Sequence, residues 1–285
     1  MAASSALTGQ DSQPIDALIV GAGFAGMYML HKLRGLGLNS KVVEAGSGVG
    51  GTWYWNRYPG ARVDIQSLEY SFGFDEGLES EWRWSERYAP QPELLRYAEH
   101  VADRFDLKRD ITFNTRVAAA HWDDAAHVWN VKTEQGEAMR CRHLILATGC
   151  LSIPTDVTFP GIDTYKGDIY RTSRWPHEGV DFSGMRVGII GTGSSAIQSI
   201  PIIASQADHL TVFQRTPNYS MPAHNGPIPD ADFEAWSKDP RAYRAASKDT
   251  VGGFQNEAND ALATDTAPDA IKAAASPHHF LSVTK

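Results

Sequence analysis

Two glycine-rich turns carry the chemistry most visible in this sequence. Gly21-Ala22-Gly23-Phe24-Ala25-Gly26 and Gly191-Thr192-Gly193-Ser194-Ser195-Ala196 share one spacing, and each follows a short apolar run. Small residues at that spacing serve a tight turn, a close approach of backbone to a pyrophosphate, and close packing of a helix on a strand. The helix that follows points unsatisfied N–H groups and the positive end of its dipole at the phosphates. The residues further on differ in charge. Roughly 20 residues past the first turn stands Glu44, whose carboxylate can accept from ribose hydroxyls. The corresponding place after the second turn holds Gln214, Arg215 and Thr216. A carboxylate there would repel a ribose 2′-phosphate, whereas a guanidinium pairs with it bidentately. The charges therefore match the first turn to an unphosphorylated ribose, as in FAD, and the second to NADPH rather than NADH.

Such turns work only inside strand–turn–helix–strand units, and the flanking residues supply them. Residues 16–20 read as a buried strand, 25–36 as a helix and 41–44 as a second strand; residues 186–190, a following helix and 210–214 repeat the pattern. Between the two units, residues 141–149 read as a strand returning to the first sheet. Residues 111–135 alternate like short antiparallel strands. This order predicts an α/β protein with two Rossmann-like dinucleotide-binding domains and a short helical C-terminal segment. The expected divisions are a disordered tail at 1–14 and an FAD-binding domain at 15–152. An NADPH-binding domain at 153–218 and the start of a helical subdomain at 219–285 follow.

Composition narrows the partners. The net charge is −8 and no basic run occurs, which argues against a nucleic-acid partner. No apolar run approaches the roughly 18 residues of a membrane span. The first residues lack the basic and apolar regions of a signal peptide, so a cytoplasmic protein is expected. The two cysteines, Cys141 and Cys150, match neither a C-x-x-C redox pair nor metal-ligand spacing. His278 and His279 have no ligand partners at metal spacing, so no metal is expected.

Two further stretches are more specific. Gly50–Phe74 reads "GGTWYWNRYPGARVDIQSLEYSFGF", and residues 165–176 read "YKGDIYRTSRWP". The first resembles the G-G-T-W-Y-W-N-x-Y-P-G-A-R-x-D segment of the Baeyer–Villiger monooxygenases. The second resembles that family's fingerprint, F-x-G-x-x-x-H-x-x-x-W-P. "ERYAPQPELLRYAEHVADRFDL" and "FQRTPN" extend the likeness over roughly residues 15–225. The resemblance implies a two-dinucleotide-binding-domain flavoprotein in which NADPH reduces FAD and O₂ adds at flavin C4a. The resulting peroxyflavin attacks a small-molecule ketone to give an ester or lactone. It implies Asp64 as the catalytic-site acid, orienting an arginine, with Arg62 and Arg57 as alternatives for local charge and Arg62 or Arg171 as candidate catalytic cations within this sequence. Gly51, Thr52, Trp53, Asp64 and Tyr70 would line the flavin, and Val117 its adenine end. Gly191, Gly193, Ser194, Ser195, Ala196, Arg215 and Thr216 would hold NADPH. The fingerprint would form the crossing between the two cofactor domains, anchored by Trp175-Pro176.

The sequence departs from the family at three of these positions. Arg171 replaces the fingerprint histidine, Tyr165 its phenylalanine, and Val63 the cysteine before Asp64. Arginine is permanently charged and only donates, whereas neutral histidine also accepts, so coupling of NADPH oxidation to oxygenation is questioned at that position. Family members are also longer, and a C-terminal half or complementary chain is an expected further partner. Two alternatives stand beside the ketone reading: a flavin monooxygenase acting on nitrogen or sulfur, and a catalytically incomplete nucleotide-binding fragment.

Overall fold

A computed structural model describes residues 14–218, 220–250, 253–254 and 280–283. The expected N-terminal tail (but for its last residue), the His278-His279 pair and much of the last stretch lie outside the described residues. In chain order the regular elements are β1 (Ile15–Val20), α1 (Phe24–Gly35), β2 (Ser40–Val43), α2 (Thr52–Trp55), α3 (Glu76–Glu81) and α4 (Gln91–Arg104). There follow β3 (Ile111–Thr112), β4 (Val117–Asp123), β5 (Val128–Thr133), β6 (Ala138–Leu146), β7 (Arg186–Ile190), α5 (Ser194–Ala204) and β8 (His209–Phe213). The last are β9 (Ser220–Pro222), α6 (Asp230–Lys238), α7 (Pro240–Lys248) and β10 (Phe280–Val283). The chain divides into two compact units. One contains the residues up to Trp55 and Leu94–Ile169, the other Asn56–Glu93 and the residues from Tyr170 onward.

The first unit is built on one sheet of order β3-β2-β1-β6-β5-β4. β1 lies between β2 and β6, parallel to both, with Ile19 opposite Val42 and Ile145. Leu18, Ile19, Val42 and Val43 are almost fully buried, as expected for a strand covered on both faces. α1 lays Gly26, Met27 and Leu30 inward, one stripe at helical spacing. The antiparallel half turns tightly between β4 and β5. There the Asp123 carboxylate accepts from the amides of Ala125 and Ala126, and His127 takes φ +52°. Val131, Met139 and Cys141 from this half join Leu18 and Val43 in one cluster, with Val117 packed against it. β6 starts and ends three residues before the expected strand. Just past its end the Ala147 amide still donates to the Val20 carbonyl at 2.9 Å, and the Ala147 carbonyl oxygen lies 2.6 Å from where a Cβ on Gly21 would sit, so only glycine fits the first turn there.

In the second unit β7 and β8 run parallel, with Gly188 opposite Thr211, and α5 connects them. Trp175, Phe182 and Ile203 form a buried cluster. Trp175 also stacks within 5.7 Å of Tyr170 and 6.0 Å of Phe182. The Trp-Pro end of the fingerprint is therefore a hydrophobic anchor inside this unit. α3 and α7 begin on aspartate caps: Asp75 accepts from the Leu78 amide and Asp239 from the Ala242 amide. β9 and β10 pair antiparallel.

Candidate cofactor-binding and catalytic site

The two glycine turns are copies of one another in backbone geometry. Gly21 and Gly191 both have φ +104°, and the caps Gly23 and Gly193 have φ −74° with ψ −174° and −178°. The amide of Gly21 donates to the Val43 carbonyl at 2.8 Å, and that of Gly191 to the Phe213 carbonyl at 2.9 Å. Each turn is thereby pinned to the end of its neighbouring strand. Neither α1 nor α5 receives a side-chain cap at its first turn. Their leading amides are thus left for another acceptor, and an anion is the natural one.

The third small residue has a measurable reason in the first turn. A Cβ on Gly26 would stand 1.9 Å from the Gly21 carbonyl oxygen, so no larger residue fits while α1 stays seated. At Gly191 and Gly193 a Cβ would meet nothing within 4 Å, which leaves open space beside the second turn. Both turns fit a pyrophosphate, the first by close helix–strand packing and the second by clear access.

Glu44 does more than sequence reasoning found. It is buried, and its two carboxylate oxygens accept at 2.7 Å each from the amides of Ala22 and Gly46. The acid ties the middle of the glycine turn to the loop after β2. This clamp has no signature in the spacing, because an acid at that position serves either a ribose or the backbone.

Asp64, Arg62 and the second turn all belong to the second unit. Asp64 is exposed and borders a small pocket with Val63, Tyr88, Ser194 and Gln198. Arg62 is half-buried and pairs with Glu86 at 3.1 Å. Asn225 donates to the same Glu86 oxygen at 2.7 Å and accepts from the Tyr88 amide. Gln198, the fifth residue of α5, binds the segment before Asp64 at several points. Its Oε1 accepts from the Tyr58 hydroxyl at 2.9 Å and the Arg62 amide at 3.4 Å, while its Nε2 donates to the Arg62 carbonyl at 3.3 Å. Gly60, at φ +77°, lies so close that a Cβ would stand 2.1 Å from the Gln198 carbonyl oxygen. Burial raises the Tyr58 phenol above its ordinary range, against hydrogen bonding by Ser195, so it stays protonated and donates. The segment leading to Asp64 is thus held against α5 by a glutamine that the sequence did not mark.

The other expected residues are placed as follows. Gly51 and Thr52 lie at the start of α2, and Trp53 is buried there. Tyr70 is half-buried in the second unit, and Val117 begins β4. Ser194, Ser195 and Ala196 form the first turn of α5, with Arg215 and Thr216 exposed just after β8. Gln214 and Asn218 both donate to Thr192, fixing that loop against the second turn. Arg171 is half-buried and precedes the short turn Thr172–Arg174 that leads into Trp175, its carbonyl accepting from the Arg174 amide at 2.9 Å without a side-chain cap. Among the described residues no group of three His, Cys, Asp or Glu side chains could hold a metal, and no helix is long and apolar enough to cross a membrane.

Two strand–glycine turn–helix units of the dinucleotide-binding type are what these turns define. The chain belongs to the pyridine nucleotide-disulphide oxidoreductase family, whose profile matches residues 18–251. Within that family it matches the N-terminal portion of Baeyer–Villiger monooxygenases. Acetone monooxygenase (methyl acetate-forming) of Gordonia sp. (strain TY-5) is 43% identical over 251 residues, 87% of this chain and 46% of the relative. A Baeyer–Villiger monooxygenase of Pseudooceanicola batsensis is 48% identical over 217 residues, 76% of this chain and 40% of the relative. The solved structure of oxidized steroid monooxygenase bound to NADP superimposes with a TM-score of 0.84 at 50% identity. It covers 92% of this chain and 50% of that one. The chain spans about half the length of the curated relatives it matches. A redox dithiol, the feature in the family's title, has no counterpart: Cys141 is buried in β6, Cys150 is exposed, and both are free.

Proposed function

We propose that this chain provides the FAD and NADPH sites of a Baeyer–Villiger monooxygenase, which inserts one oxygen of O₂ beside the carbonyl of a small-molecule ketone. The observation that carries the reading is the pair of uncapped glycine turns of matching backbone angles, one followed by a buried acid and the other by an exposed arginine. Bound FAD would supply oxygen activation, and NADPH the hydride that reduces it. In the first unit the Gly21–Gly26 turn and the amides opening α1 would bind the flavin dinucleotide's pyrophosphate. In the second unit Gly191–Ala196 would bind the nicotinamide dinucleotide, with Arg215 and Thr216 at its 2′-phosphate. Asp64 is the catalytic-site acid of this reading. Gln198 and Tyr58 hold the segment that carries it against α5, and Arg62 is neutralised locally by Glu86. A ketone substrate is the reading supported by the relatives named for acetone, cyclohexanone and Baeyer–Villiger oxidation, while one relative of comparable identity is named a phenazine N-monooxygenase.

The test has two parts. NADPH and NADH are titrated into the 285-residue chain, with tighter binding of NADPH expected. Product is then analysed from a chimaera in which the C-terminal portion of the acetone monooxygenase completes the chain, given a cyclic ketone and a thioether in competition. Lactone as the main product is expected. A chimaera that holds both cofactors and yields sulfoxide without lactone would sink the ketone reading.

A further inference from the structure

The second unit contains a larger cavity that the reading above leaves unused. It measures about 310 Å³ and lies between the segment around Leu68, the loop that carries Arg87 and helices α6 and α7. That volume is within the range of small-molecule sites, about 300–1,000 Å³. Its apolar wall is made by Leu68, Ile228 and Trp236. Trp236 is held in place by a ring contact with Phe233 at 5.6 Å. Arg87 supplies the cavity's cation. It is half-buried, and among the described residues its guanidinium makes no hydrogen bond or ion pair. A half-buried guanidinium that makes no ion pair, with Asp232 also on the cavity wall, can take a further anion as a charge-assisted partner.

We propose that this cavity binds a small organic monoanion, an aromatic or alicyclic carboxylate whose charge meets Arg87 and whose ring lies on Leu68, Ile228 and Trp236. Tyr243 lines the same wall. Burial, with Glu69 next, raises its phenol above the ordinary range although Arg244 and Arg87 oppose this, so it stays protonated and adds no negative charge to the cavity. Asp232, exposed in the first turn of α6, also faces the cavity. Its charge opposes a second negative group, so one carboxylate is accepted and two are not.

Benzoate serves as the probe, read by tryptophan fluorescence and calorimetry on the full chain, with uncharged benzamide and dianionic phthalate alongside. Saturable benzoate binding is expected, at least tenfold tighter than both benzamide and phthalate. Arg87→Leu should weaken benzoate about ten- to a hundredfold, the worth of a charge-assisted contact, and leave benzamide unchanged. Ala235→Phe, which fills the cavity from α6, should abolish both. Thermal unfolding confirms that each variant is folded; should Arg87→Leu fail to fold, the benzoate-to-benzamide ratio in the unaltered chain decides. No saturation by benzoate up to about 10 mM, equal affinity for benzoate and benzamide, or unchanged benzoate affinity in folded Arg87→Leu would overturn the proposal.

Discussion

Replacing Glu44 separates two roles that its position allows. If the carboxylate serves chiefly a ribose, removing it weakens cofactor binding and leaves the empty protein as stable as before. The structure instead shows both oxygens engaged at 2.7 Å by the amides of Ala22 and Gly46, in a residue only 5% exposed. Hydrogen bonds to a charged group contribute about 1.5–3 kcal/mol each, and a buried donor left without an acceptor costs about 1–3 kcal/mol. Glu44→Gln keeps one acceptor oxygen and sets an NH₂ against the other amide, a loss of about 2–3 kcal/mol. Glu44→Ala loses both acceptors, about 3–6 kcal/mol. At about 2–4 °C per kcal/mol for a unit of this size, the glutamine variant should melt about 4–12 °C lower and the alanine variant lower still. The assay is thermal unfolding of flavin-free protein followed by circular dichroism, with FAD affinity measured separately. Unchanged melting of both variants alongside weakened FAD binding would refute the clamp and return Glu44 to the ribose alone.

The glycine turns give a paired expectation: Gly26→Ala should destabilise the chain by about 1–3 kcal/mol through overpacking, whereas Gly193→Ala should leave thermal unfolding unchanged yet weaken NADPH by intruding on the open space. Arg215→Ala should lower NADPH affinity about ten- to a hundredfold and hardly alter NADH, measured by titration; equal losses would remove Arg215 from the 2′-phosphate. Burial pushes the Cys141 thiol from 9.0 up to about 11, so a maleimide at pH 8 should label only Cys150 in native protein and both thiols in denaturant. Because the folded value is the higher one, the stabilisation from protonated Cys141 is complete below pH 9 and is lost as pH rises toward 11. In the completed chimaera, Arg171→His should raise lactone formed per NADPH consumed, quantified against hydrogen peroxide release.

What the sequence made legible was local. The run before Gly21 and the one before Gly191 are short, apolar and end in a glycine that must take positive φ, so strand, turn and helix announce themselves within a dozen residues. The limits of β1, β7 and β8 differ from expectation by a residue at most, because one periodicity and one punctuation mark decide them. The partners of the charged residues were not legible. Arg62 and Glu86, or Gln198 and Tyr58, meet only after the chain has folded back across long stretches, and no periodicity encodes such a meeting. Asp64 was expected to orient an arginine; it is exposed, and the neighbouring Arg62 is engaged by Glu86. Glu44 shows a third kind of limit, where one residue type at one spacing satisfies two different acceptor roles.

The division of the chain bears on how such proteins can be recombined. Each compact unit is assembled from two separated stretches, joined at 55–56, 93–94 and 169–170. No single cut therefore releases either one whole. A graft that imports a relative's sequence only from Tyr170 onward would set a foreign Gln198 against the resident Tyr58 and Arg62, and a foreign Asn225 against the resident Glu86. Hybrids of this family should tolerate exchange of 56–93 together with the later stretch far better than exchange of either alone. The natural unit of inheritance is then a pair of segments rather than a domain that can be read off as one interval.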